Sequence, residues 1–333
     1  ITVTVGGAND PPDAIDDVVA TAEDTPLVID VIANDTDPQG QILTLAAIGA
    51  ATNGETTDFS NQVHYTPTVD FHGADVFTYT ISDGALTDTA TVTVTVGSVN
   101  DLPTLDAPGD VTTAEDSGPQ TVALTGIGTG AANEAQTLAV TAASTDTAVI
   151  PHPTVTYASP DATGSLSFSP VYNAFGTATV VVTVTDGISV TVRSFRVTVT
   201  PVNDAPTLDM PYDVALDEDA GQQTVFLTGI GMGAPNEGQT ISVSAVSGDP
   251  TLVPTPTVSY VSPEVMAMLD FTPAANAHGS TVISVTVSDG LSETLQTFQV
   301  DIAPVNDAPT LVIEGLTPFG TITVPEDSPT HTL

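Results

Sequence analysis

The stretch Thr91-Val92-Thr93-Val94-Thr95-Val96-Gly97-Ser98-Val99-Asn100-Asp101-Leu102-Pro103 decides the fold twice over. Its first half alternates strictly between threonine and valine. That period of two, built from β-branched residues, belongs to a strand with one buried face. Its second half is a boundary mark, Asn-Asp-x-Pro. The same mark stands at Asn9-Asp10-Pro11-Pro12, Asn203-Asp204-Ala205-Pro206 and Asn306-Asp307-Ala308-Pro309, at spacings of 91, 103 and 103 residues. A Glu-Asp pair follows each boundary: Glu23-Asp24, Glu115-Asp116, Glu218-Asp219 and Glu326-Asp327. An Asp-Gly pair precedes the last strand of each unit: Asp83-Gly84, Asp186-Gly187 and Asp289-Gly290. Registered markers that recur in the same order announce tandem modules.

Working outward, the boundaries define repeat 1 (9–99), repeat 2 (100–202) and repeat 3 (203–305). Residues 1–8 match the closing strand of a preceding repeat. Residues 306–333 match the start of a further one, or a strand exchanged with a neighbour. Ile1–Val5 lacks a basic n-region and a cleavage motif, so it reads as a strand rather than a signal peptide. The chain therefore reads as a piece of a longer array. Within each repeat Phe77-Thr78-Tyr79-Thr80-Ile81, Val180, Val182, Val184 and Ile283, Val285, Val287 keep the period of two, and no segment keeps a helical face. Asp-Gly between two such runs is a hairpin turn, because glycine accepts positive φ. About seven short strands per ~100 residues predict an all-β chain of Ig-like, Greek-key β-sandwiches in a linear array.

Composition narrows the function. The 333 residues hold 41 acids against two cations, Arg193 and Arg196, for a net charge of −39. Cysteine and tryptophan are absent, and so is lysine. Disulfide scaffolds, thiolate metal sites and P-loops are thereby excluded. So acidic a surface repels phosphate backbones, which argues against a nucleic-acid partner. A hydrophobic content of 41% argues against an acidic disordered tail. No apolar run reaches the ~18–20 residues of a membrane span, so no membrane insertion is expected in this segment. The five histidines show no metal spacing. Gly126-Ile-Gly-Thr-Gly and Gly229-Ile-Gly-Met-Gly imitate a dinucleotide loop but lead into Asn-Glu rather than a helix. No enzyme is expected.

The acids are expected to gather at the ends of the sandwiches. In a seven-strand sandwich the A–B turn lies at the lower end with the exit linker. The B–C loop and F–G hairpin lie at the upper end. This places Glu23, Asp24, Asn100, Asp101, Asn133, Glu134 and Asp186 at the first junction. Glu115, Asp116, Asn203, Asp204, Glu237 and Asp289 fall at the second, and Glu218, Asp219, Asn306 and Asp307 below repeat 3. Asn9, Asp10, Asp35, Asp37 and Asp83 lie above repeat 1. Two carboxylates ~4 Å apart repel by about 4 kcal/mol at an effective dielectric of ~20. A group of them without lysine or arginine protonates, splays or takes a cation. All-oxygen ligands select Ca²⁺ over Zn²⁺ or copper. Asn34-Asp35-Thr36-Asp37-Pro38-Gln39-Gly40 reads as a calcium loop or as an Asx turn, and Asp83, Asp186 and Asp289 as ligands or as hairpin residues. The remaining acids are expected on solvated faces.

Together these motifs resemble the cadherin-like tandem repeats of large bacterial surface and secreted proteins, the extender repeats of RTX-type adhesins. The resemblance is carried by Val-Asn-Asp-Ala-Pro, Glu-Asp-Thr-Pro, Asn34–Gly40, Tyr65-Thr66-Pro67, Phe71-His72-Gly73-Ala74-Asp75 and Ser82-Asp83-Gly84. It implies β-sandwiches stiffened by linker Ca²⁺ in an extracellular adhesin, stalk or matrix protein. The partners it implies are neighbouring repeats or other copies of the chain, joined in one variant by strand exchange into a fibre. A ligand-binding adhesin module, for a glycan or a protein, is the alternative. Tyr157, Tyr212 and Tyr260 are its aromatic candidates.

Overall fold

The computed structural model describes residues 7–306. The sequence expectations for Ile1–Val5, Asp307 and the segment 307–333, strand exchange included, lie outside those residues. The described residues divide into two compact units at Pro201–Val202.

Each repeat is a sandwich of a four-stranded and a three-stranded sheet, and no helix occurs among the described residues. Repeat 1 contains β1 (Asp17–Ala22), β2 (Leu27–Ile29), β3 (Thr44–Ile48), β4 (Gly54–Phe59), β5 (Gln62–Pro67), β6 (Gly73–Ser82) and β7 (Thr87–Gly97). Its sheets run β1-β7-β6-β3 and β2-β5-β4. Repeat 2 contains β8 (Val111–Ala114), β9 (Gln120–Leu124), β10 (Ala139–Ser144), β11 (Thr154–Thr156), β12 (Gly164–Phe168), β13 (Gly176–Thr185) and β14 (Val190–Thr200). Repeat 3 contains β15 (Val214–Asp217), β16 (Gln223–Leu227), β17 (Ser242–Ser247), β18 (Thr257–Ser259), β19 (Ala267–Phe271), β20 (Gly279–Ser288) and β21 (Glu293–Ala303). The strand order of repeat 1 recurs in both. These are tandem Ig-like β-sandwiches.

Alternation explains the core. In β7 the valines Val92, Val94 and Val96 face inward, while the threonines between them face outward or to the edge. Phe77, Tyr79 and Ile81 on β6 and Val63 and Tyr65 on β5 close the same core. Repeats 2 and 3 each bury a separate cluster, around Leu124, Leu166 and Val182 and around Leu227, Leu269 and Val285. Fully burying one such side chain contributes roughly 1.5–3 kcal/mol, which makes this patterning the main source of stability in each repeat.

One pairing positions the functional end. β1 runs parallel to β7, β8 to β14, and β15 to β21. The first and last strands therefore finish at the same end of the sandwich. The turn after the first strand is tied to the exit strand by its backbone: Glu23 N–H donates to Gly97 O at 2.8 Å, Glu115 to Thr200 at 2.9 Å and Glu218 to Ala303 at 2.9 Å.

Several acids expected on solvated faces are structural acceptors instead. Asp16, Asp110 and Asp213 accept the amides of Thr91, Arg196 and Gln299 on the last strand at 2.7–2.8 Å. They satisfy the backbone where the parallel pairing begins, a need that composition does not reveal. Asp75 is buried outright.

Candidate metal centre

At the lower end of repeat 1, Glu23 is 3% exposed. Its Oε1 accepts the amide of Val99 and its Oε2 accepts Asn133 Nδ2 at 2.8 Å. The neighbouring Asp24 takes φ of 55°, and Asp70, in the loop between β5 and β6, takes 59°. Aspartate and asparagine tolerate this left-handed region better than other side-chain-bearing residues. In that geometry Asp70 N–H donates to Asp24 Oδ1 at 3.1 Å.

The linker supplies the third carboxylate. Asn100 Nδ2 contacts Asp186 Oδ2 at 3.0 Å, Ser189 Oγ at 3.0 Å and Asp101 O at 2.9 Å. Asp101 N–H donates to Glu134 Oε1 at 2.9 Å. The linker is thus seated on repeat 2, and the Asp101 carboxylate meets the end of repeat 1. One ligand oxygen from each of Asp24, Asp70 and Asp101 lies within 4.8 Å of the others. Gly130 permits the seating. A Cβ there would stand 2.5 Å from Leu102 O and 2.8 Å from Asp101 Cβ. The glycine loop that imitated a nucleotide motif is thus a bed for the linker.

Electrostatically the cluster is uncompensated. Among the described residues neither arginine pairs with an acid. Asp101 Oδ2, Glu134 Oε2, Asn133 Oδ1 and Gln136 Oε1 are shielded from solvent and have no hydrogen-bond donor. The Asp101 carboxyl is raised above its ordinary value by desolvation, and then by the charges of Asp70, Glu134, Glu23 and Asp24. Carboxylate and amide oxygens are the ligand types that a hard divalent cation takes.

The structure brings Glu23, Asp24, Asn100, Asp101, Asn133, Glu134 and Asp186 to this one end, with unequal roles. Asp186 spends both oxygens on the hairpin and linker: Oδ1 on the amides of Ser189 and Ile188, Oδ2 on Asn100 and Ser189 Oγ. The Ser189 amide leads in holding its carboxyl well below the usual range, helped by those of Ile188 and Asn100. Asp289 and Asp83 play the same part toward Asn203 at 3.0 Å and Asn9 at 2.7 Å. Asp204 N–H meets Glu237 Oε1 at 2.6 Å. Asp116 and Asp219 accept the amides of Asn173 and Asn276, both at 2.8 Å. Glu115 is buried. Glu218 accepts Val305 N–H at 2.7 Å and lies 3.4 Å from His278 Nδ1. Above repeat 1, Asp10 is paired with Gln39 Nε2 at 2.7 Å. Asp37 Oδ1 caps the amides of Gln39 and Gln41, which is the Asx-turn geometry. Asp35 Oδ1 turns inward to Ile15 N–H at 2.7 Å and Tyr79 OH at 2.9 Å. Asn306 is the last described residue.

Asp70 escaped the sequence reading. The available signal was an Asx residue at the same offset in every repeat: Asp70, Asn173 and Asn276. Of the aromatic candidates, Tyr157 and Tyr260 pack against the cores of repeats 2 and 3, and Tyr212 is exposed.

A match to a protein family agrees with the fold of repeat 1. Residues 9–95 match the Bacterial Ig domain family. That match covers repeat 1, whose strand order repeats 2 and 3 share. Such a repeat is consistent with a surface or structural module, and the Ig-like fold is typical of modules without catalysis. No curated protein gives a significant match. Among solved structures, an endo-fucoidan hydrolase of glycoside hydrolase family 107 covers 86% of this chain at 17% identity, with a TM-score of 0.28. This chain spans 43% of that protein's length. A three-Ig fragment of titin covers 87% of this chain and is itself covered over 96%, at 14% identity and a TM-score of 0.32. The human desmocollin-1 ectodomain covers 90%, with 60% of its own length, at 13% identity and a TM-score of 0.31. No helix among the described residues is long and apolar enough to cross a membrane.

Proposed function

We propose that this chain is a structural segment of an extracellular bacterial stalk or fibre, and that Ca²⁺ stiffens it where one repeat hands over to the next. The observation that supports this most is Asp101. A linker carboxylate anchored on repeat 2 shares a 4.8 Å cluster with Asp24 and Asp70 of repeat 1. Its second oxygen is shielded and donorless. A cation with six to eight flexible oxygen ligands suits that set better than octahedral Mg²⁺, which keeps its waters. Extracellular modules hold Ca²⁺ at roughly 10⁻⁴–10⁻³ M, so an exposed seam of this kind fills in calcium-rich surroundings. The ion would cancel the repulsion among the carboxylates and tie the linker to both repeats. Asn133 adds a link that needs no ion, through Glu23 and the carbonyl of Asp70 at 2.7 Å.

Calorimetric titration of the full chain tests the reading, with hydrogen exchange of the linker amides as the structural readout. Calcium is expected to bind and to slow exchange at Val99–Asp101. Asp101→Asn is expected to remove that protection while the three sandwiches stay folded. A chain that takes up no calcium at 10⁻² M, about tenfold above the range of such modules, would reject the proposal.

A further inference from the structure

We infer that the repeat ends differ in calcium affinity, and that the residue at the tip of the loop between the fifth and sixth strands sets their order. The inference rests on the calcium reading above. In repeat 1 that residue is Asp70, in repeat 2 Asn173 and in repeat 3 Asn276. Their backbones are the same: φ is 59°, 53° and 54°. Each donates its amide to the aspartate of the Glu-Asp turn, to Asp24 at 3.1 Å, Asp116 at 2.8 Å and Asp219 at 2.8 Å. One loop geometry thus presents a carboxylate at the end of repeat 1 and a neutral amide at the ends of repeats 2 and 3.

A second observation concerns the amide oxygen itself. Asn173 Oδ1 is shielded from solvent and has no hydrogen-bond donor. A buried amide oxygen left without a donor costs free energy unless something else satisfies it. Amide oxygens and carboxylates both ligate Ca²⁺, and the count of charged ligands tunes the affinity. The residue two positions on also changes, from His72 to Phe175 to His278.

The end of repeat 1 therefore fills first as calcium rises, and the ends bearing asparagine fill later. Partial occupancy becomes a stable state of the chain over an intermediate range of calcium.

The test is a calcium titration of the full chain and of two near-isosteric variants, followed by calorimetry and by hydrogen exchange of the individual loops. The wild type is expected to bind in at least two steps, the tighter one protecting the loop around Asp70. Asp70→Asn should weaken that step by about tenfold or more, in line with the dependence on ligand charge. Asn173→Asp should tighten a weaker step by a similar factor. Thermal melts without calcium confirm that each variant folds. Indistinguishable steps, or a tight step untouched by Asp70→Asn, would overturn the ranking and leave the calcium reading standing. A wild type that binds no calcium would overturn both.

Discussion

Repeat 1 and its two companions fill one sandwich with different chemistry. On β5 of repeat 1 sits Tyr65, fully buried, whose hydroxyl donates to Asp75 Oδ2 at 3.0 Å. Asp75, 2% exposed, also accepts the amides of Thr52, Asn53 and Val76. The same two places in repeat 2 hold Phe168 and Ala178, and in repeat 3 Phe271 and Thr281. Tyr79, bonded to Asp35 or to Ile15 O, stands where Val182 and Val285 stand. In repeat 2 both polar residues are gone, and in repeat 3 the tyrosine is gone while Thr281 takes the amide of Asp249 at 2.9 Å. A buried hydroxyl needs a partner, and a buried carboxylate needs several donors. Losing one member alone leaves the other stranded, whereas losing both leaves an ordinary apolar core.

The largest break in this comparison is expected from Asp75→Ala. It strands the Tyr65 hydroxyl and the Thr52 and Asn53 amides, and should destabilise repeat 1 by about 3–5 kcal/mol. Chemical denaturation followed by residue-level hydrogen exchange would show the loss in repeat 1 and leave repeat 3 unchanged. Adding Tyr65→Phe makes the site resemble repeat 2. The double variant should then cost less than the two single changes together, with a coupling of about 1–2 kcal/mol. Strict additivity in the cycle would show that the pair acts independently.

Next in size is a contrast between two glycines. Gly130→Ala in repeat 2 drives a methyl group into the linker backbone at a residue whose φ is 110°. A cost of about 1–3 kcal/mol and weaker calcium binding are expected. Gly40→Ala in repeat 1 meets open space and has only its φ of 69° to overcome, so about 1 kcal/mol is expected. Equal melting shifts in the two variants would show that the linker has room to move.

The smallest expected effect is one of pH. Burial pushes the Asp17 carboxyl up from 3.8 to about 6, against a hydrogen bond from Tyr79 and with help from the charges of Asp35, Asp16 and Asp30. The folded repeat therefore holds a proton that the unfolded chain releases at lower pH. The stability linked to it is present below about pH 4 and is lost as pH rises through about 6. Urea titrations of the wild type and of Asp17→Asn across that range should diverge, the wild type losing more stability toward neutrality. Parallel curves would place the proton elsewhere.

Much of this was legible in the residues. Strict Thr-Val alternation, Asp-Gly turns and recurring boundary markers dictate tandem sandwiches, because a strand with a buried face has no other period. The pairs that meet at the seam were visible as well, since Asn-Asp and Glu-Asp recur in every repeat and Asn133-Glu134 returns as Asn236-Glu237 in repeat 3. The apportioning of roles was not. Asp101 and Asp186 look alike as letters, yet one is desolvated among other acids and the other is saturated by amides. Asp70 and Asp75 lie five residues apart, and only the left-handed turn of the first and the inward face of the second separate a cluster oxygen from a core acceptor.

Local pattern by itself determined the fold class and which face of each strand fills the core. Period and turn chemistry act over a few residues and need no partner. Tertiary structure alone decided which acid faces another acid, which is silenced by donors and which lies in the core. Desolvation and charge pairing depend on neighbours that the chain supplies from about 30–110 residues away in sequence, as with Asp101 and Glu134 or Glu23 and Asn133.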